Sequence, residues 1–80
     1  MNSGEIKIVA YLILVVEAGK EYEVLRKLLE IDAVNEAHVV YGEYDIVAKL
    51  EVSDLSELEK TVMNIRKIPG VERSTTLISA

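Results

Sequence analysis

The stretch Ile8–Val16, IVAYLILVV, contains no charged residue and no alternation of polar with apolar side chains. Its β-branched and apolar content predicts a strand over residues 6–16, which Gly19 brings to an end. Successive side chains of a strand point to opposite faces of a sheet. Both faces of this strand are therefore apolar, and a chain of 80 residues has few other elements to cover them.

Two helices are predicted from apolar residues spaced three and four apart. The first covers residues 20–32 and the second covers residues 53–68. In the second helix Asp54 stands three residues before Glu57, which is the spacing of a capping box. The stripes expected to face the core are Tyr22, Leu25, Leu28 and Leu29 in the first helix, and Leu55, Leu58, Val62 and Ile65 in the second.

Three further strands complete the chain, at residues 35–42, 44–52 and 71–79. Gly42 and Glu43 separate the first two of these strands, so a two-residue hairpin turn is predicted there, because Gly tolerates a positive φ. The order β-α-β-β-α-β predicts an α+β fold of the ferredoxin-like kind. Right-handed crossovers then place both helices on one face of a four-stranded antiparallel sheet. We interpret the chain, residues 1–80, as one domain.

The helix-free face of the first strand is expected to carry its odd-numbered side chains. Leaving four such side chains in water forgoes on the order of 1.5–3 kcal/mol each, and an exposed apolar patch of this kind marks an interface. Because a two-fold interface uses the same patch on both partners, we expect a homodimer with its sheets packed face to face, and larger rings built from it. The alternative is a monomer with a moderately exposed strand. The residues expected at the dimer interface are Val9, Tyr11, Ile13 and Val15.

Composition excludes several classes of protein. The formal charge is -5, with nine basic residues scattered along the chain, so no basic stripe indicates direct binding of nucleic acid. The longest apolar run has nine residues, which is too short to span a bilayer. Cys is absent, which fits a reducing compartment, and a cytoplasmic protein without a membrane segment is expected.

Catalytic and metal-binding residues are sparse. His38 is the only imidazole, and tetrahedral zinc needs three or four ligands, so neither a metal site nor a cofactor is expected. A triad of Ser74, His38 and Asp45 can be written from the sequence, but any chain with one His offers such a combination. We therefore predict no catalytic residue. The competing hypothesis is a small dimeric enzyme that uses His38, Asp45 or Tyr41.

The segment YGEYD, Tyr41–Asp45, concentrates side chains suited to a small zwitterion. Asp45 would accept an ammonium group in charge-assisted hydrogen bonds, and Gly42 would let backbone N–H groups approach a carboxylate. Tyr41 and Tyr44 would form walls that are apolar with polar tips. The same residues also suit an ordinary turn between two strands, and the sequence leaves both interpretations open.

Two segments carry a resemblance to a known family: GEYDIVAKLEV at residues 42–52 and IRKIPGVERSTT at residues 65–76. Together with residues 18–79 as a whole, they closely resemble the effector-binding domain of the Lrp/AsnC transcription regulators, also called the RAM domain. The resemblance implies dimers formed through the sheets, dimers assembled into rings that are typically octamers, and an amino acid or related metabolite bound in clefts between dimers.

The resemblance also implies which residues bind the effector. Gly42, Tyr44 and Asp45 match the family's hairpin, and Ser74 and Thr76 match the hydroxyl positions of its last strand. Tyr41 stands where many relatives have a smaller Thr or Ser, which leaves the identity of the ligand open. The ligand-binding set is therefore Tyr41, Gly42, Tyr44, Asp45, Ser74 and Thr76.

The chain resembles the stand-alone members of the family, since no helix-turn-helix segment precedes the first strand. Its expected function is that of an oligomeric effector-binding module in the regulation of amino-acid metabolism. Its expected partners are a small-molecule effector, further copies of itself and full-length Lrp/AsnC regulators. A purely structural role in the assembly of such regulators is the remaining alternative.

Overall fold

The fold is described for residues 7–80 in a computed structural model of the chain. Four strands and two helices follow one another in the predicted order. The start of the first predicted strand, Ile6, lies outside the described residues. The elements are β1 (Ile8–Val16), α1 (Glu21–Leu29), β2 (Val34–Val39), β3 (Ile46–Val52), α2 (Leu55–Arg66) and β4 (Val71–Ile78).

The four strands form one sheet in the order β2-β3-β1-β4, and every neighbouring pair is antiparallel. This is the ferredoxin-like arrangement that the sequence predicted. The apolar strand β1 is a central strand of the sheet. Ala10 is paired with Leu50 of β3 on one side and with Ile78 of β4 on the other. Strands β2 and β4 form the two edges.

The two faces of β1 have the predicted parity. The even-numbered residues Ala10, Leu12 and Leu14 are fully buried, and Val16 is nearly so, because they face the helices. The odd-numbered residues on the opposite face remain partly exposed, and Tyr11 keeps 40% of its surface accessible. Strand β3 follows the same rule through four buried residues, Ile46, Ala48, Leu50 and Val52.

The buried stripes of the helices differ in part from the prediction. In α1 the buried side chains are Val24 and Leu28, whereas Tyr22 and Leu29 are more than half exposed. In α2 Leu58 and Ile65 are buried as predicted, but Leu55 lies in the first turn and is exposed. A helix of nine residues, as α1 is, covers the sheet with two turns only, so its flanking apolar residues face solvent.

The ends of α2 agree with the sequence. Asp54 is the N-cap, and its Oδ1 accepts from the Glu57 N–H at 2.8 Å, while the Ser53 N–H donates to Glu57 Oε1 at 2.9 Å. These two reciprocal bonds satisfy donors that the first turn leaves open.

Within residues 7–80 neither helix has the length and apolar character needed to cross a membrane.

The predicted two-residue hairpin between β2 and β3 is wrong. The last hydrogen bond of the hairpin joins the Val40 N–H to the Asp45 carbonyl at 2.9 Å, so four residues, Tyr41 to Tyr44, form the connection. Gly42 has φ 135°, a conformation that favours Gly. The connection is longer than predicted because the backbone of Asp45 is hydrogen-bonded to β1, and the tight two-residue turn does not form. Its N–H donates to the Leu14 carbonyl at 2.8 Å.

Candidate ligand-binding site

The hairpin forms one wall of a shallow depression beside the start of α1. Tyr41 and Gly42 are exposed at its rim, and Asp45 is half-buried in it. The depression measures about 300 Å³, and within residues 7–80 no basic side chain lines it. Its lining residues are Glu21, Tyr22, Val39, Val40, Tyr41, Gly42 and Asp45.

The Asp45 carboxylate has a structural partner. Its Oδ2 accepts from the backbone N–H of Val16 at 2.7 Å, across 29 positions of sequence. This bond satisfies a donor at the end of β1, next to the point where the β1–β4 pairing shifts register. Among residues 7–80 no group donates to the other oxygen, Oδ1. Asp45 therefore stabilises the end of β1 through Oδ2, and its Oδ1 has no donor among residues 7–80.

Tyr44 and Ser74 share a second depression, at the edge strand β4. Ser74 Oγ accepts from Arg66 Nε at 3.1 Å, which joins the end of α2 to β4. This depression measures about 400 Å³. Its lining residues are Ile13, Val15, Tyr44, Arg66, Val71, Glu72, Arg73, Ser74 and Thr75.

Thr76 lies in a third depression, of about 570 Å³, between α2 and β4. Apolar residues of α2 and Ile78 form most of its lining. Arg66 lines both this depression and the second one. The six predicted ligand-binding residues are thus divided over three depressions of the single chain. The fold of one protomer does not bring them together.

Sequence reasoning missed Arg66 and Arg73 as site residues. Arg66 had an ordinary explanation at the C-terminal end of a helix, where a cation favours the dipole. The signal that was available is the turn between α2 and β4: a chain that reverses at Pro69 and Gly70 brings residues before and after it side by side. Arg66 and Ser74 meet in this way.

The four predicted interface residues lie together on the helix-free face of the sheet. Val47 of β3 is paired with Ile13, and Leu77 of β4 is paired with Tyr11, so both extend the apolar strip sideways. We call Val9, Tyr11, Ile13, Val15, Val47 and Leu77 the sheet strip. Charged residues border it, including an ion pair between Lys49 and Glu51 at 3.9 Å.

His38 does not take part in a catalytic arrangement with Ser74. It is exposed on the edge strand β2 and contacts Glu36 at 3.1 Å. Ser74 lies on the opposite edge strand, three strand spacings or about 14 Å away. Within residues 7–80 no three His, Asp or Glu side chains are grouped in a way that suits a metal ion.

The structure is a ferredoxin-like domain. The helices cover one apolar face of its sheet, and the other apolar face is left exposed. A family model described as the Lrp/AsnC ligand binding domain matches residues 9–80. The chain therefore belongs to the Lrp/AsnC ligand-binding domain family, as the two sequence segments indicated.

Relatives with this domain differ in their total size. The HTH-type transcriptional regulator FL11 of Pyrococcus abyssi is 35% identical over 69 residues, which are 86% of this chain and 46% of that protein. The homocitrate synthase of Sulfurisphaera tokodaii is 40% identical over 53 residues, 66% of this chain but 12% of the enzyme. This chain thus spans a little under half the length of the curated regulators that it matches.

A solved structure of similar size exists as well. FFRP-DM1 is 42% identical, with a TM-score of 0.88, and the match covers 91% of this chain and 99% of that one. The domain therefore forms a complete chain in that protein.

Proposed function

We propose that this chain is a non-catalytic effector-binding module that takes part in transcription regulation and responds to an amino acid or a related small metabolite. Membership of a ligand-binding domain family supports the binding role. This chain is similar to a segment of an HTH-type transcriptional regulator and also to a segment of a homocitrate synthase. A role in binding a small effector is compatible with both of these settings.

The observation that carries the proposal is the open sheet strip. Its apolar side chains lie on the face without helices, and Tyr11 and Leu77 remain 40% and 51% exposed. A second copy covers this face with an identical strip, because a two-fold axis brings the same residues of both copies together. The module is thus a homodimer through the sheets, and dimers join into a ring such as an octamer.

The effector binds between protomers. In one protomer the predicted ligand-binding residues are divided over three depressions: Tyr41, Gly42 and Asp45 in the first, Tyr44 and Ser74 in the second, and Thr76 in the third. A closed pocket that includes all of them therefore needs surfaces from more than one copy. Asp45 Oδ1 accepts the ammonium group of the effector, and Tyr41 and Tyr44 provide the walls. Within residues 7–80 no atom beyond the two chain neighbours of Gly42 lies within 4 Å of the position that its Cβ would take, so the hairpin backbone is accessible there.

Binding acts through assembly. A ligand that contacts two protomers favours the assembled state by its difference in affinity for the assembled and separate states. In this scheme the same strip joins the module to full-length Lrp/AsnC regulators, since an HTH-type regulator contains a segment similar to this domain. The module itself does not contact nucleic acid in this scheme.

Calorimetric titration with each of the twenty amino acids, combined with the mass of the native particle, tests the proposal. We expect at least one amino acid to bind at or below millimolar concentration and to shift the particle mass. Absence of binding by all twenty contradicts the amino-acid effector, and binding without any change of mass contradicts the action through assembly.

A further inference from the structure

The depression at the β4 edge contains two arginines, Arg66 from the end of α2 and Arg73 from β4. None of the ion pairs within residues 7–80 involves either of them. Both side chains are exposed, and the chain as a whole has a formal charge of -5. Two arginines that form no ion pair within residues 7–80 therefore line one concave surface, together with the single carboxylate of Glu72.

Arg66 is held in a defined orientation. Its Nε donates to Ser74 Oγ at 3.1 Å, so one of the five guanidinium N–H groups is fixed. The two terminal nitrogens keep their donors, and a planar fork of this kind matches the two oxygens of a carboxylate. Ser74 thereby acts as a positioning residue for Arg66.

The rest of the lining selects the kind of anion. Ile13, Val15 and Tyr44 supply apolar surface on the side of the sheet strip, and Glu72 adds a carboxylate to the rim. Glu72 disfavours a multiply charged anion such as phosphate, because like charges repel at short range. A zwitterion that carries one carboxylate and an apolar side chain fits this mixture of charges.

We infer that Arg66 and Arg73, with Arg66 positioned by Ser74, bind the carboxylate of an α-amino acid whose side chain is apolar. This inference rests on the proposed effector function and specifies its ligand class. It places the carboxylate on the arginines rather than on the backbone of Gly42, and it leaves the ammonium group to Asp45 of the hairpin. The ligand then contacts the depression with Asp45 on one subunit and the depression with Arg66 and Arg73 on a neighbouring subunit.

The test compares L-leucine, L-isoleucine, L-valine and L-methionine with their amides by calorimetry on the assembled protein. The amides lack the carboxylate, so we expect the best of the four acids to bind about 10- to 100-fold more tightly than its amide. In the Arg66→Gln variant the affinity for the amino acid should fall and the affinity for the amide should not change. The preference for the acid over the amide is then smaller than in the parent protein, with Arg73 accounting for what remains.

Arg26→Gln is the matched control, because Arg26 is an exposed arginine of α1 that lines none of the three depressions. It removes the same charge and should leave both affinities unchanged. Arg73→Gln, on a different element, repeats the test if loss of the Arg66–Ser74 bond disturbs folding. Equal affinity of acid and amide for the parent protein overturns the inference, and so does equal weakening in the Arg26 and Arg66 variants. If another amino acid binds and these four do not, the inference fails while the proposed effector function stands.

Discussion

At the scale of single residues, Asp45 has an observed role in the fold and a proposed role in the binding site. The sequence offered two interpretations of it, a turn residue or a ligand-binding acid. In the structure its Oδ2 holds the end of β1 through Val16, and its Oδ1 faces no donor within residues 7–80. The structure thus assigns Oδ2 a role in the fold, and ligand binding through Oδ1 stays a prediction.

Two substitutions of Asp45 separate these roles. Asp45→Asn keeps an oxygen that can accept from the Val16 N–H but removes the negative charge, so we expect loss of effector binding with a free energy of unfolding within about 1 kcal/mol of the parent. Asp45→Ala removes the acceptor too and should cost about 1–3 kcal/mol more, because a part-buried N–H loses its partner. Urea denaturation and calorimetry measure the two effects. Full effector binding by Asp45→Asn would show that the charge plays no part in recognition.

At the scale of elements, local sequence patterns predicted a feature correctly where its hydrogen bonds form between residues close in the chain. They failed where a distant element contacts the segment. The Asp54–Glu57 pair caps α2 because both partners lie within one turn. The turn between β2 and β3 is longer than predicted because β1, a distant segment, binds Asp45. In α1 the buried side chains include Val24, whereas Tyr22 lies in the first turn and is exposed.

Removal of the α2 cap tests whether the Asp54–Glu57 hydrogen bond stabilises the protein. Asp54→Ala deletes the side chain that accepts from the Glu57 N–H, so we expect the free energy of unfolding to fall by about 1 kcal/mol. Asp32→Ala is the matched control, because Asp32 is exposed and forms no hydrogen bond or ion pair through its side chain within residues 7–80. Urea denaturation of both variants gives the difference. Equal stability of the two would mean that the Glu57 side chain alone caps the helix.

At the scale of the whole molecule, the sheet has one face closed by helices and one face left open. The open face carries the sheet strip, in which Ile13 lies between Val47 of β3 and Thr75 of β4. A lone protomer keeps this strip in water, whereas a dimer removes it from solvent on both copies. The proposed assembly follows from this difference in exposed apolar area.

A charge in the centre of the strip should separate the subunits. In the Ile13→Glu variant the two-fold axis places a carboxylate from each copy at the interface, so we expect the dimer dissociation constant to rise about 100-fold or more. Leu29→Glu introduces the same charge at an exposed leucine of α1, away from the strip, and should leave the assembly intact. Sedimentation velocity measures both. A parent protein that sediments as a folded monomer would contradict the sheet-to-sheet dimer.

The sequence by itself determined the order of the elements, the two faces of β1 and the capping of α2. Each of these depends on residues close together in the chain, through strand alternation or a single helical turn. The family resemblance likewise depended on two short continuous segments, at residues 42–52 and 65–76.

Only the tertiary structure decided how the site residues are grouped. Asp45 reaches Val16 across 29 positions because strand order and register bring the two residues together. Ser74 meets Arg66 because the chain reverses between α2 and β4. The same register places Tyr44 and Ser74 in one depression, and Tyr41 and Asp45 in another. Pairing between distant segments minimises the exposed apolar area of the whole chain, a quantity that no local pattern specifies.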